Sequence, residues 1–246
     1  MNTAMSSRHI VTAAVARLFV DRDPGAIDEF FGPVYTQHSA LGVDGVDGLR
    51  ALLDRLPAEF SYRLLRVIAD GDLVVTHGLY FGFGPGPVAG FDVWRVRGER
   101  IVEHWDALGP IGGRTPDDTT PIEGQTDPGA PGKTDENRVL ITDLVDRVFI
   151  GGEARIEQFV ATESHDRVRG GAAVGVPQLD SGTPVPYETL HQVIAQGDLV
   201  YTRAEGAGQP RLIINDLWRV DAGRIAEHWG LVVPVPATLP HDNGSF

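Results

Sequence analysis

The chain has 246 residues, of which 42% are hydrophobic, and a formal net charge of −13. That is enough apolar material for two modest cores, and the wrong sign for nucleic acid, whose phosphates are gripped by clustered Lys and Arg. There is no cysteine, and the one lysine, Lys133, lies in a Gly/Pro-rich stretch, which excludes disulfides, thiolate chemistry and Cys-ligated metals and disfavours a Schiff-base lysine.

In chain order, residues 8–20 place Ile10, Val11, Ala14, Val15, Leu18 and Phe19 on one helical stripe, with Ser6 or Ser7 available as N-cap. A short helix over 26–31 follows the DPG turn, and then a strand over 34–41. Val46, Leu49, Leu52, Leu53 and Leu56 predict a helix over 46–56, with Asp44 a candidate N-cap. Four strands follow, at roughly 60–69, 72–82, 88–97 and 100–108, separated by turn-forming DGD, a Gly/Pro loop and RGE.

The stretch 109–135 is rich in Gly and Pro without apolar periodicity and reads as an interdomain linker. Beyond it Leu140, Leu144, Val148 and Phe149 form a new helical stripe. A short helix (153–160), a strand containing His165, an irregular loop (170–186) and strands at 186–196, 198–205, 211–220 and 223–233 complete the chain. The loop carries too much Gly and Pro to be a helix.

The two halves repeat one another. FDVWRVRGERIVEHWDAL (91–108) matches NDLWRVDAGRIAEHWGLV (215–232), and VIADGDLVVTH (67–77) matches VIAQGDLVYTR (193–203). Trp94 and Trp218, like Trp105 and Trp229, lie 124 residues apart, a period that means two whole domains. The expected division is domain 1 over 1–112, linker 113–134 and domain 2 over 135–246. No GxSxG, GxGxxG or Walker sequence occurs, so catalysis falls to histidine, carboxylate and water. No apolar run is long enough to span a bilayer and no signal-peptide shape opens the chain, so the expected location is cytoplasmic, without membrane or nucleic-acid partners.

Helices followed by a curled antiparallel sheet ending in D-x-[WF]-R-x…G-[KR]-I-x-E-H-W resemble the nuclear-transport-factor-2-like superfamily. The segments TQHS (36–39), ADGDLVVTH (69–77), FDVWRV (91–96), RIVEHWD (100–106), TDENRVLITDLVDRVFIGGE (134–153) and NGSF (243–246) make the chain similar to its SnoaL-like polyketide cyclase branch. The resemblance implies an α+β fold: two tandem cone-shaped domains, each a curved antiparallel sheet wrapped around N-terminal helices. It also implies that the two pair within the chain as a pseudo-dimer, the whole being a monomer or a dimer of such chains. Trp105 and Trp229 would face away from the pocket.

Alignment with the ketosteroid isomerases of the superfamily puts His38 at their general-base position and Asp92 at their proton-donor position; the second-copy equivalents are His165 and Asp216. Strand alternation puts residues 104 and 106 on one face, which the superfamily turns toward the pocket, so His104 and Asp106 join the site and His228 its second copy. Gly230 stands where Asp106 would be, leaving the first copy with the fuller site. The isomerases' helix tyrosine has no counterpart in AVARLFVD.

The implied function is cofactor-free and metal-free acid–base catalysis (cyclase, isomerase or lyase) on a small carbonyl-containing, polyketide-like substrate. His38 would remove a proton, Asp92 would hydrogen-bond the enolate oxygen, and His104 with Asp106 would relay the proton. The alternatives are an epoxide-opening enzyme of the same fold, although Gly90 stands where the Asp–Arg–Asp arrangement of limonene-type hydrolases needs a carboxylate, and a non-catalytic binding protein.

Overall fold

A computed structural model describes residues 5–111, 122–166 and 187–246, with the side chains of 165 and 166 excepted. The chain divides into two compact units, one comprising residues 1–106 with 236–246 and the other residues 107–235. The segment 236–246, placed in the second domain on sequence, therefore belongs with the first unit.

In the first unit α1 (Ser7–Val15) is capped by Ser6, whose hydroxyl accepts from the His9 amide, and it runs on into a π-helical turn, Ala16–Val20. Then follow α2 (Gly25–Phe30), β1 (Phe31–Gln37), α3 (Gly45–Asp54) and β2 to β5 (Ser61–Asp70, Leu73–Phe81, Val88–Arg97 and Arg100–Pro110). The sheet order is β1-β5-β4-β3-β2. The β2–β3 and β3–β4 pairs are antiparallel, but β1 runs parallel to β5, so the sheet is mixed.

Strand β1 begins and ends earlier than 34–41. Pro33 looks like a strand boundary in sequence, yet β1 lies at the sheet edge, where a missing backbone donor is tolerated. The RGE turn is a tight hairpin with Gly98 at φ 55° and Glu99 at φ 61°, the two positive dihedrals that a two-residue type I′ connection requires.

Helix packing identifies the covered face of this sheet. Phe19, in the π-helical turn, meets Tyr62 at 5.5 Å and Tyr80 at 6.1 Å between ring centroids. Phe31 meets Trp94 at 6.3 Å. Tyr62, Tyr80 and Trp94 thus belong to the helix-covered side.

The second unit repeats the plan with α4 (Thr134–Leu144), a π-helical turn at Val145–Ile150, β6 (Val160–Asp166) and β7 to β10 (Tyr187–Gln196, Leu199–Gly206, Leu212–Asp221 and Arg224–Pro234). Its sheet order is β6-β10-β9-β8-β7, with β6 parallel to β10. Ile141 and Leu144 of α4 pack in a core with Val200, Trp218 and Ile225. The helix expected over 153–160 is a single 3-10 turn, Ile156–Gln158. The irregular loop expected over 170–186 lies outside the described residues.

The later part of the linker packs on this unit. The Glu123 carbonyl accepts from Trp229 Nε1 at 2.7 Å, and the Pro128 carbonyl from the Asp198 amide at 2.6 Å. Among the described residues no helix is long and apolar enough to cross a membrane.

Candidate functional site

The candidate site lies on the helix-covered face of the first sheet. Thr76 of β3 pairs with Asp92 of β4, and strand alternation places Tyr80 on the face of Thr76 and Trp94 on that of Asp92. On β5 the same alternation separates His104 and Asp106 from Glu103 and Trp105.

Asp92 is 3% exposed, where a carboxyl group without partners would cost several kcal/mol. It has partners on both oxygens. Tyr80 Oη donates to Oδ2 at 2.5 Å, Thr76 Oγ1 lies 3.5 Å from the same oxygen, and His104 Nε2 lies 3.3 Å from Oδ1. Thr76 Oγ1 itself accepts from Trp94 Nε1 at 3.0 Å, which turns its proton toward Asp92. Trp94 also stacks on the His104 ring, with centroids 3.9 Å apart and planes 22° apart.

The hydrogen-bond network orients the His104 ring. The Ser39 amide donates to Gln37 Oε1 at 3.1 Å, so that atom is the amide oxygen. His104 Nδ1 lies 2.9 Å from the same oxygen and must donate to it. In a neutral ring Nε2 is then bare, and the contact to Asp92 Oδ1 closes only if the carboxyl carries a proton. In a charged ring Nε2 carries it instead. A hydrogen bond at this contact therefore needs one proton, carried by the carboxyl or by the ring.

Asp106 sits beside this pair, half-buried. Ser39 Oγ donates to Asp106 Oδ2 at 2.7 Å and accepts from the Leu41 amide at 3.1 Å, which commits its proton to Asp106. Asp92, His104 and Asp106 present atoms all within 4.8 Å of one another. These are the residues that could hold a divalent ion, and their types also suit proton transfer.

Three phenols surround the carboxylates. Burial first, and then the nearby charge of Asp92, raises the Tyr80 and Tyr62 hydroxyls well above their ordinary pKa of 10.0. Burial, then Asp106 and Asp92, does the same to Tyr35. All three remain protonated at neutral pH. Gly78 makes room for one of them, because a Cβ there would collide with the Tyr62 hydroxyl.

The structure brings together three of the four residues singled out in the first copy and separates the fourth. His38 stacks on Trp105 at 4.7 Å with planes 8° apart, and its Nε2 lies 3.1 Å from Glu103 Oε1. Its Nδ1 donates to the Gly244 carbonyl at 3.1 Å. Trp105 and Glu103 occupy the face opposite His104, so His38 stands across the sheet from Asp92. The reason is the two-residue period: at the end of β1 the side chains that reach the site are Gln37 and Ser39. Both were missed, as were the three tyrosines.

The second unit keeps the centre of this arrangement. Asp216 and His228 are fully buried and lie 2.9 Å apart, Trp218 stacks on His228 at 3.8 Å, and Trp218 Nε1 donates to Thr202 Oγ1 at 3.0 Å. Tyr187 Oη donates to Asp216 Oδ2 at 2.6 Å. Gly230 pairs opposite Asp216, so this copy has no counterpart to Asp106. His165 pairs through its backbone with Glu227 of β10, and its side chain lies outside the described residues.

A sequence profile described as "SnoaL-like domain" matches residues 11–104. No curated protein matches the chain in sequence. Among solved structures the chain is similar to TsrD from Streptomyces laurentii, at 18% identity over 44% of this chain and 91% of that one, with a TM-score of 0.37. IdmH from Streptomyces antibioticus, a proposed polyketide cyclase, is 18% identical over 42% of this chain and 92% of its own, with a TM-score of 0.37. An NTF2-like protein of unknown function from Cytophaga hutchinsonii is 15% identical over 45% of this chain and 96% of its own, with a TM-score of 0.39.

Proposed function

We propose that the Asp92–His104–Asp106 cluster of the first unit, whose residues 11–104 match the profile of a SnoaL-like domain, is an acid–base site acting on a small carbonyl-containing, polyketide-like metabolite. The observation that carries this reading is the 3.3 Å contact between Asp92 Oδ1 and His104 Nε2, with Asp106 presenting an atom within 4.8 Å of both. Asp106, half-buried and oriented by Ser39, takes the proton from the carbon next to the carbonyl. The Asp92–His104 pair presents its proton to the developing enolate oxygen. Return of a proton to carbon, or attack of the enolate on a second carbonyl, completes an isomerisation or a cyclisation. Neither route changes an oxidation state overall or needs more than acid–base assistance, so the reading calls for no cofactor.

His38 has no part in this chemistry. Its place against Trp105, Glu103 and Gly244 makes it a structural residue of the opposite face. The test is deuterium exchange at the α-carbon of β-keto ester probes in D2O, followed by proton NMR. The chain should accelerate exchange, and Asp106→Asn should lower that acceleration by about 10²–10⁴-fold, the range for one general acid–base group.

A second, non-catalytic reading draws on the other unit. Asp216 and His228 form the same hydrogen-bonded pair while fully buried, which is what a polar network that only supports the core would do. On that reading neither pair turns over a substrate, and the exchange assay separates the two.

A further inference from the structure

The residues that orient the Asp92–His104 pair are clasped by a segment distant in sequence. Asn243 Nδ2 donates to the Gln37 carbonyl at 2.9 Å and to Asp44 Oδ1 at 2.8 Å. Both partners are acceptors only, which fixes the orientation of the Asn243 amide. Asp44 Oδ1 also accepts from the Gln37 amide at 2.8 Å, so both backbone polar groups of Gln37 are held. His241 Nε2 reaches the Ser39 carbonyl at 3.0 Å, and the Gly244 carbonyl takes the His38 ring proton at 3.1 Å. Three successive residues, 37 to 39, are each fastened to the segment 241–244.

The geometry points to Asn243 as a positioning residue that fixes the His104 ring through Gln37. Strand β1 is an edge strand that ends at Gln37, so beyond it no second strand satisfies the backbone or holds its register. Asn243 and Asp44 do so instead. Although burial works against its charge, Asp44 stays below the ordinary carboxyl range because the Gln37 amide, the Asn243 side chain and the Gly45 amide donate to it. The held backbone aims Gln37 Oε1 at His104 Nδ1, and that contact makes Nδ1 a donor and turns Nε2 toward Asp92. His241 and Gly244 hold the two residues after Gln37, among them Ser39, which orients Asp106. The inference rests on the acid–base reading for its importance to catalysis but not for its test.

The test is the ¹⁵N signature of the His104 ring in the full chain without substrate, assigned by its loss in His104→Gln. In the unsubstituted protein His104 Nδ1 is protonated. Asn243→Ala should replace that state with an average of the two tautomers, and Gln37→Leu, which removes the acceptor directly, should do the same. Val11→Ala, a core change in α1 that lowers stability away from this segment, should leave the signature intact. If Asn243→Ala does not fold, Asn243→Ser retains one donor and should give an intermediate signature. An unchanged ring in Asn243→Ala, or equal disturbance by Val11→Ala, overturns the assignment. Because no activity is read, this outcome stays separate from failure of the acid–base reading, which Asp92→Asn kinetics would report.

Discussion

Tyr80 donates its hydroxyl to Asp92 Oδ2 at 2.5 Å, whereas in the second unit the matching carboxylate, Asp216, takes its phenol at 2.6 Å from Tyr187, on a different strand. The position matching Tyr80 is Gly206 of β8. Both units therefore meet the same need, a donor for a buried carboxyl oxygen, from different places in the fold. Tyr80→Phe leaves that oxygen of Asp92 without its shortest partner and should destabilise the protein by about 1–3 kcal/mol. Tyr187→Phe should cost a similar amount. Urea denaturation of both variants checks this, and no loss in either would mean that the phenols are dispensable.

The same phenols predict alkaline sensitivity. Tyr35, Tyr62 and Tyr80 have folded pKa values raised above 10.0 by burial and nearby carboxylates. Above the unfolded value the unfolded chain releases protons that the folded chain keeps, so stability falls as pH rises from about 10 toward the folded pKa values. Denaturation midpoints between pH 8 and about 12 should drop on this limb, with ultraviolet absorbance showing phenolate appearing only as the chain unfolds.

His77 predicts the opposite limb. Burial, and then the positive Arg66 beside it, holds its pKa well below the ordinary 6.5, and it stacks on Phe91 at 4.3 Å. The unfolded chain takes up a proton there that the folded chain refuses, so the contribution of His77 to stability is present above pH 6.5 and is lost as pH falls through that value. His77→Gln should flatten the stability curve between about pH 5 and 7 relative to the unsubstituted protein. Parallel curves would contradict the assignment.

His38→Ala removes a ring stacked on Trp105 and its contacts to Glu103 and Gly244. It should cost about 1–3 kcal/mol of stability while leaving the pH dependence of catalysed exchange in place. Loss of the acidic limb of that profile would return His38 to the proton-transfer step.

Legibility in the sequence followed range. The eight strands β2–β5 and β7–β10 were readable because apolar alternation and turn dipeptides are local. Even the Gly98–Glu99 hairpin carries its own signal. Strand β1 was read, but over 34–41 rather than Phe31–Gln37, because its partner β5 lies far along the chain and Pro33 sits inside it, at an edge where a missing donor is tolerated. His38 entered the site through the family alignment, which says nothing of strand parity, and one residue of register flips a side chain to the other face.

Asp92 was singled out by the family alignment and by being a charged residue in an apolar strand, and His104 and Asp106 by their shared parity on β5 together with that alignment. Gln37 and Ser39 were not, because an amide and a hydroxyl become site residues only through the partners that folding brings. Nothing local marked Tyr80, a core aromatic whose hydroxyl end reaches a carboxylate. Asn243 and His241 carried no local signal at all.

The measurement that bears most directly on the acid–base account is the rate of catalysed α-deuterium exchange in three proteins side by side: the unsubstituted chain, Asp92→Asn and Asp216→Asn. Asn keeps the shape of Asp and can still donate a hydrogen bond, but it cannot share a proton with histidine. The account predicts a loss of about 10²–10⁴-fold in Asp92→Asn. It predicts almost none in Asp216→Asn, whose unit has Gly230, with no carboxylate, in the place of Asp106. Equal losses in the two variants, or no catalysed exchange by the unsubstituted chain, would contradict it.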